Sequence, residues 1–505
     1  MDSSPSLRST ITSLSKNTSL FLITRITGAC VSIGLSPLFT RYLTPSEYGI
    51  IAILDSTVEI FGAFFAIGLG RAVVRFFYDA ADDQQRKRVV STGMVLSGTI
   101  TICALVALAL FYRSVSIIAF KSHEYDNFVL LSVSTLLIGL PGGMVSAALM
   151  ASARTRLICT IELIRIVFGA LLRILLVVLL EQGVSGVLWT NFICAVIFNV
   201  GLLVWMISSV GLGVNRSLIR PMIRYGIPFA PTLLCGIAMH SLNRFYLKAY
   251  GTSDQVGYFQ TAYQLPFMLY SIISNSFEGF WSSHTIFTIA KAPDAVNQYS
   301  RISTYYLSFL SFVLFVVAIS ANVLVKIFFA PSYAPAAPYI PIIAFGLWLH
   351  AFHLFVRTGV YLSKDTFLLA INHGLTLGAT VLFNWLLIPR FGIYGATFAS
   401  IMIFFFFSFA GGVIYKGFGY LDLRRLAAVS IIWILLVLIR YRIGTDSIYT
   451  EILYIILFSA LYLGFMFYLP FCMSKEERCD IFAFIKNTLK QKGSILQMFK
   501  SQDAR

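Results

Sequence analysis

Leu43-Thr44-Pro45-Ser46-Glu47-Tyr48-Gly49 and, 208 positions on, Gly251-Thr252-Ser253-Asp254-Gln255-Val256-Gly257 are the stretches on which the fold turns. Each follows an apolar run that carries an arginine, and the Thr and Gly positions coincide at that constant offset. A second pair lies at an offset of 209: Gln182-Gly183-Val184-Ser185-Gly186 against Phe391-Gly392-Ile393-Tyr394-Gly395. Each of these falls between the fifth and sixth apolar runs of its half. Two offsets agreeing within one residue read as a duplicated unit of six runs, punctuated by Thr, Ser, Pro and Gly.

The runs themselves place the chain in a membrane. Of 505 residues, 58% are apolar and 12% charged, against roughly 45–50% and 25% in soluble domains. Mean hydropathy is +0.82. A water-soluble single domain is excluded. The net charge of +16 sits between apolar runs rather than in basic clusters on a polar surface, so nucleic acid is not an expected partner. The seven cysteines, Cys30, Cys103, Cys159, Cys194, Cys235, Cys472 and Cys479, form no CxxC pair and support neither a disulfide framework nor a zinc site.

Runs of about 20 apolar residues suit a helical crossing. They predict fourteen membrane helices, at 17–40, 50–70, 90–112, 127–150, 157–180, 186–208, 223–246, 257–283, 303–328, 337–361, 367–388, 393–415, 425–440 and 449–472. The seventh is polar and the thirteenth short, which leaves twelve or thirteen open. The fold class expected is an all-α polytopic membrane protein of two pseudo-symmetric six-helix bundles plus two C-terminal helices. Its parts are residues 1–210, 211–418, an added pair at 419–472, and a basic tail at 473–505. Met1 to Ser15 is polar and carries Arg8, with no signal cleavage pattern, so the first run is expected to remain as a helix. With both termini in the cytoplasm, 26 of the 38 Lys and Arg fall in inside segments and 8 in outside segments. That is a strong positive-inside bias. The tail is expected to lie on the anionic leaflet surface.

Charges inside apolar runs are costly and usually face a cavity or a partner. Arg25 lies a third of the way into the first helix. Asp55 and Glu59 are four apart in the second and share a face. Glu162, Arg165 and Arg173 occupy the fifth. Asn243 and Arg244 close the seventh, Glu278 and His284 lie late in the eighth, and Arg357 follows His350 and His353 in the tenth. Arg25, Arg244 and Arg357, with Arg173 and Asn243, are the candidates for a substrate cavity, and buried arginines favour an anion such as phosphate. Asp55, Glu59, Glu162 and Glu278 are candidates for coupling to H+ or Na+, and no cofactor is expected. Arg71, Arg75, Arg154 and Arg156 lie near helix ends and read as side chains reaching the interface. Glu162 and Arg165 can equally form a structural pair. His240, His350, His353 and His373 read as hydrogen-bonded helix residues, because no third metal ligand has suitable spacing. Phe404 to Phe407 reads as lipid contact or packing. Gly226, Pro228, Pro231 and Pro266 interrupt the spans around the seventh and eighth helices, where transporters place hinges. Parallel repeats put substrate sites between the halves. There is no Walker loop, GxSxG elbow or HExxH, so ATP hydrolysis and enzyme chemistry are not expected.

Leu38-Phe39-Thr40-Arg41-Tyr42-Leu43-Thr44-Pro45-Ser46-Glu47-Tyr48-Gly49 followed by Gly70-Arg71-Ala72-Val73-Val74-Arg75-Phe76-Phe77-Tyr78-Asp79 resembles the amino-terminal signature of the polysaccharide transporter family. Tyr225-Gly226-Ile227-Pro228, Asn243-Arg244-Phe245, Val256-Gly257-Tyr258-Phe259 and Asn384-Trp385 through Gly395-Ala396 extend the resemblance over roughly residues 15–415. That family belongs to the multidrug/oligosaccharidyl-lipid/polysaccharide exporter superfamily. The resemblance implies two six-helix bundles that alternate between inward-open and outward-open states. It implies an inner-membrane flippase for an undecaprenyl-pyrophosphate-linked oligosaccharide used in O-antigen, capsule or exopolysaccharide synthesis. Cavity arginines would hold the pyrophosphate while the tail stays among membrane lipids. A polysaccharide polymerase and a chain-length regulator are the protein partners it suggests. Relatives commonly carry Asp where this chain has Asn243, which removes one coupling carboxylate. The rival readings are a cation-coupled multidrug antiporter, a peptidoglycan-precursor flippase, a polymerase or ligase, and a scaffold for glycosyltransferases.

Overall fold

The loop at residues 43–49 is a helix start. In the computed structural model, Thr44 caps the helix Pro45–Ala66, its hydroxyl accepting from the Glu47 amide while Glu47 returns a bond to the Thr44 amide at 2.8 Å. Such reciprocal caps satisfy two free helix N–H groups. Thr252 caps Ser253–Phe280 through its hydroxyl alone, accepting from the Gln255 amide. The structure describes residues 7–468 apart from 153, 228, 291, 364, 366 and 444–446, with side chains from residue 23 except at 155, 280, 283 and 284. Pro228, the His284 side chain, Cys472, Cys479 and the basic tail 473–505 lie outside the described residues.

The chain runs α1 (Leu7–Tyr42), α2 (Pro45–Ala66), α3 (Leu69–Asp79), α4 (Asp83–Phe120), α5 (Asp126–Ala151) and α6 (Thr155–Arg173), which continues as a π-turn over Ile174–Leu179. Next come α7 (Gly183–Cys194), a π-turn at Ala195–Val200, α8 (Gly201–Val210), α9 (Arg216–Gly226), α10 (Phe229–Tyr250) and α11 (Ser253–Phe280). The remainder is α12 (Ile286–Ile289), α13 (Ala295–Ile319), α14 (Ala321–Phe328), α15 (Ile340–Ala351), α16 (His353–Val356), α17 (Thr358–Ser363), α18 (Phe367–Ile414), α19 (Leu423–Arg442) and α20 (Ile448–Tyr468). Among the described residues, ten helical runs are long and apolar enough to cross a membrane. The protein is an all-α, multi-pass membrane protein.

Several expected boundaries move. The predicted second span ends at a break, where Ile67 and Gly68 adopt left-handed φ of 43° and 61° and α3 sets off in a new direction. The predicted seventh span is two helices, α9 and α10. Pro266 lies inside α11 without ending it. Spans eleven and twelve merge into α18, bent at Gly392, whose φ is 54°.

The matched glycines carry the same local structure in both copies. Gly183 and Gly392 each have φ of 54°, open to glycine without strain. A Cβ on Gly183 would meet Glu47 Oε1 at 2.6 Å, and one on Gly392 would have Gln255 Nε2 as its neighbour at 3.9 Å; Glu47 and Gln255 are themselves 208 apart. Gly49 and Gly257 touch each other where α2 crosses α11, a Cβ on Gly49 reaching 2.9 Å from the Gly257 nitrogen. In lipid the hydrophobic effect does not press helices together, so small residues that let backbones approach are what seal such a crossing. Beyond the other end of α2, Gly68 and Gly226 form a second backbone contact, a Cβ on Gly68 meeting the Gly226 oxygen at 2.6 Å. Two pairs of glycines thus bring the two halves of the chain into backbone contact, one in the first turns of α2 and one just beyond its end.

Candidate functional site

Between those contacts lies a cavity of about 1110 Å³. Its walls follow helical periodicity. From α6 come Glu162, Arg165, Ile166, Gly169, Ala170 and Arg173, one face at steps of three and four. From α1 come Ser32, Leu35, Ser36 and Phe39, and from α2 Tyr48, Ile51, Ala52, Asp55 and Val58. Thr135 and Gly139 of α5, and Thr190, Asn191 and Cys194 of α7, complete most of the wall. The half of the chain after residue 210 contributes Leu233, Gln260 and Gln264.

Five charged side chains line the cavity: Asp55, Arg71, Glu162, Arg165 and Arg173. Arg165 is neutralised by Glu162, with Nη2 to Oε2 at 2.6 Å. Arg173 donates from Nη2 to Asn191 Oδ1 at 2.9 Å, and its guanidinium lies 5.9 Å from the centre of the Phe39 ring. Arg71 stacks 4.7 Å from the Phe229 ring centre. Among the described residues neither Arg71 nor Arg173 has an ion-pair partner. A guanidinium held by an amide or a ring keeps donors for a second ligand, and its planar fork matches phosphate oxygens. The cavity therefore suits an anionic group with hydroxyl-bearing parts, which Asn, Gln, Ser and Thr side chains can bond.

The predicted residues divide accordingly. Arg173, Asp55 and Glu162 are brought together in the cavity. Arg25 is exposed on α1 and is not among the lining residues. Arg244 is buried behind the wall, donating from Nε to Gln260 Oε1 at 2.8 Å and from Nη1 to the His240 carbonyl at 2.6 Å. It touches the cavity only through Gln260. Asn243 is fully packed and donates to Ser400 Oγ at 2.7 Å. Glu59 accepts from Ser241 Oγ at 2.8 Å, tying α2 to α10. Arg357 forms an ion pair with Glu278. Arg71, read from sequence as an interfacial side chain, instead turns into the cavity, because the left-handed break at Ile67 and Gly68 redirects α3. Arg165 was legible in sequence only as half of a pair; its place on the wall follows from sharing a helical face with Glu162 and Arg173.

A family profile described as polysaccharide biosynthesis protein matches residues 38–338, more than half of the chain and most of this cavity. The chain belongs to the polysaccharide biosynthesis protein family. Its fold is shared with solved membrane transporters and flippases. The lipid II flippase MurJ in an inward-closed conformation superposes with a TM-score of 0.68 at 13% identity, over 89% of this chain and 98% of that one. An inward-facing multidrug resistance transporter of the MATE family gives 0.59 at 12% identity, over 78% and 97%. A superfamily transporter from Pyrococcus furiosus, described as having a binding pocket of reverse polarity, gives 0.57 at 14% identity, over 79% and 95%. At these identities the likeness establishes a shared fold. No curated protein matches the sequence.

Proposed function

We propose that this family member flips a polyprenyl-pyrophosphate-linked glycan across the bacterial inner membrane by alternating access. The observation that carries the reading is the cavity wall of Arg71, Arg165 and Arg173, two of whose guanidinia have no carboxylate within ion-pair distance among the described residues. The pyrophosphate binds there, the sugars bond to the amide and hydroxyl side chains, and the polyprenyl tail remains in lipid. The chain crosses the membrane fourteen times with both termini in the cytoplasm, as two six-helix bundles (1–210 and 211–418) and an added pair of helices within 419–472. In that orientation the Gly49–Gly257 crossing closes the periplasmic end and the Gly68–Gly226 contact the cytoplasmic end.

Two glycans share this headgroup chemistry. A surface-polysaccharide repeat unit is supported by the family's description. A peptidoglycan precursor is supported by the likeness to the lipid II flippase, which extends over 89% of the chain. A cation antiporter fits less well, because the lining carries three arginines against two carboxylates. The test is a clean deletion with complementation, followed by analysis of lipid-linked glycans on each leaflet. Repeat units held on the cytoplasmic face, with surface glycan restored by the gene, establish the first glycan. Accumulated peptidoglycan precursor with loss of viability establishes the second. Unchanged lipid-linked pools with altered tolerance of cationic drugs overturn the flippase reading.

A further inference from the structure

The three arginines of the cavity differ in which half of the chain braces them. Arg165 pairs with Glu162 on its own helix, and Arg173 is held by Asn191 and Phe39, all of the first half. Arg71, on α3, lies instead over the ring of Phe229, the first residue of α10 and so part of the second half, 4.7 Å from its centre. Phe229 packs in turn against Tyr225 at 5.6 Å, and Tyr225 returns to Phe76 of α3 edge to face at 6.2 Å. The row begins and ends on α3 and passes through the second half in between. It adjoins the Gly68–Gly226 contact, since Gly226 follows Tyr225 and Gly68 immediately precedes α3. A Cβ on Gly226 would meet the Ile67 oxygen at 2.3 Å, so the two backbones touch there. The glycine pair brings no side chain of its own, and the side chains beside it set how firmly this end closes.

Arg71 lines the cavity, and among the described residues no hydrogen bond or ion pair takes up its N–H donors. Those donors point outward in the plane of the guanidinium, whereas an aromatic ring takes its face. A phosphate at the edge and Phe229 on the face are therefore compatible, and each helps the other. The ring excludes water from one side of the cation, which strengthens its attraction for an anion. Ordering the long side chain is a cost met once for both partners. An anion on Arg173 meets a guanidinium braced within the first half and lacks this lever.

We propose that Phe229 is a positioning residue for Arg71, and that through this pair an anionic headgroup in the cavity holds the Gly68–Gly226 end closed. This role rests on the flippase reading above and names the contact through which a pyrophosphate acts on the conformation. With the anion bound, Arg71 is fixed against Phe229 and ties the first half to the second. With the cavity empty, only the bare contact of cation and ring remains, and this end opens more readily. By linkage, closure raises the affinity for the anion by the same factor. The expected size is the worth of one contact between a cation and a ring, about two- to thirtyfold in the ratio of closed to open states.

The test uses the full chain in nanodiscs, with its seven cysteines changed to serine and spin labels attached at Lys87→Cys of α4 and Ser363→Cys of α17. Both positions are exposed, one on each half. Electron–electron double resonance between the labels reports the separation of the halves. Farnesyl pyrophosphate is the probe and farnesol its uncharged counterpart. In the parent, the pyrophosphate is expected to raise the ratio of short to long distances by about two- to thirtyfold, and farnesol to leave it unchanged. Phe229→Leu keeps apolar bulk without a ring and should lose the shift, as should Arg71→Ala. Phe229→Trp should retain it, because a ring again covers the guanidinium; a Phe229 that only fills space would not separate Trp from Leu in this way. A parental shift in Phe229→Leu, or an equal shift with farnesol, overturns the proposal. A parent that binds the pyrophosphate with unchanged distances also overturns it and leaves the flippase reading standing. The expected pattern of shifts in protein that moves no polyprenyl-pyrophosphate glycan between leaflets keeps the Arg71 and Phe229 pair and refutes the flippase reading.

Discussion

Gly49→Ala is the perturbation that reads most directly on the closed end of the cavity. The new methyl would stand 2.9 Å from the Gly257 nitrogen and 3.0 Å from the Ser253 carbonyl carbon, and closer still to that carbonyl's oxygen. Heavy atoms settle at about 3.5–4.0 Å, and both neighbours are backbone, so α2 and α11 must part rather than a side chain swing aside. Overpacking of this kind costs about 1–3 kcal/mol. The cost falls on the conformation in which the two helices touch, so the ratio of closed to open states drops by roughly 5–150-fold. Gly257→Ala should act alike, its methyl meeting the Pro45 carbonyl carbon at 2.8 Å. Cys194 lines the cavity and is a native reporter. In protein with the other six cysteines changed to serine, a membrane-impermeant maleimide applied from the periplasmic side should label Cys194 at least fivefold faster in both variants. Gly98→Ala, whose Cβ meets nothing within 4 Å, should label at the parental rate. Parental labelling and parental transport in both seam variants would refute the assignment of this crossing as a gate.

The other predictions concern charge and backbone. Arg173→Ala should weaken binding of a pyrophosphate-bearing lipid by about ten- to a hundredfold, the worth of one charge-assisted hydrogen-bonding group, and Arg173→Lys should recover only part because the forked geometry is lost; binding to the purified protein checks both. Arg25→Ala should leave surface-glycan export within about twofold of the parent, since this side chain is exposed and outside the cavity wall. Gly183→Ala and Gly392→Ala should each cost about 1–2 kcal/mol for a left-handed residue. Gly183→Ala should lower the unfolding temperature more, because its Cβ also meets Glu47 Oε1 at 2.6 Å whereas the Gly392 neighbour stands off at 3.9 Å.

Much of the frame was legible because membrane helices announce themselves twenty residues at a time, and because Thr44, Thr252, Gly49 and Gly257 do jobs that only a few residue types can do. The caps need a short hydroxyl side chain, and the crossing needs no side chain at all. What sequence could not supply was azimuth. Arg244 is as costly to bury as Arg173, and both had to be compensated, but the compensation for Arg244 is Gln260 on the next helix and the carbonyl of His240. Nothing in the spacing says that Gln260 would reach it. Arg71 escaped because its direction depends on Ile67, a branched residue in a left-handed conformation that sequence disfavours. The stripe of Glu162, Arg165, Gly169 and Arg173 carried a usable signal, since a polar and small-residue face on an apolar helix marks the side turned from lipid.

The repeat also shows where the two halves have parted company. Shifting Asp55 by 208 lands on Tyr263, and shifting Glu59 lands on Phe267. The same face of the same helix thus bears carboxylates in one copy and aromatic rings in the other. In the first copy Asp55 lines the cavity and Glu59 accepts from Ser241; in the second Tyr263 and Phe267 pack against His240. The matched caps and glycine contacts persist although these side chains differ. Side-chain hydrogen bonds that join the halves include Tyr48 to Gln264, Ser241 to Glu59, Lys121 to the Ala249 carbonyl and Tyr333 to the Leu43 carbonyl. Parting α2 from α11 at the glycine crossing should also break the Tyr48–Gln264 bond, which joins the same two helices.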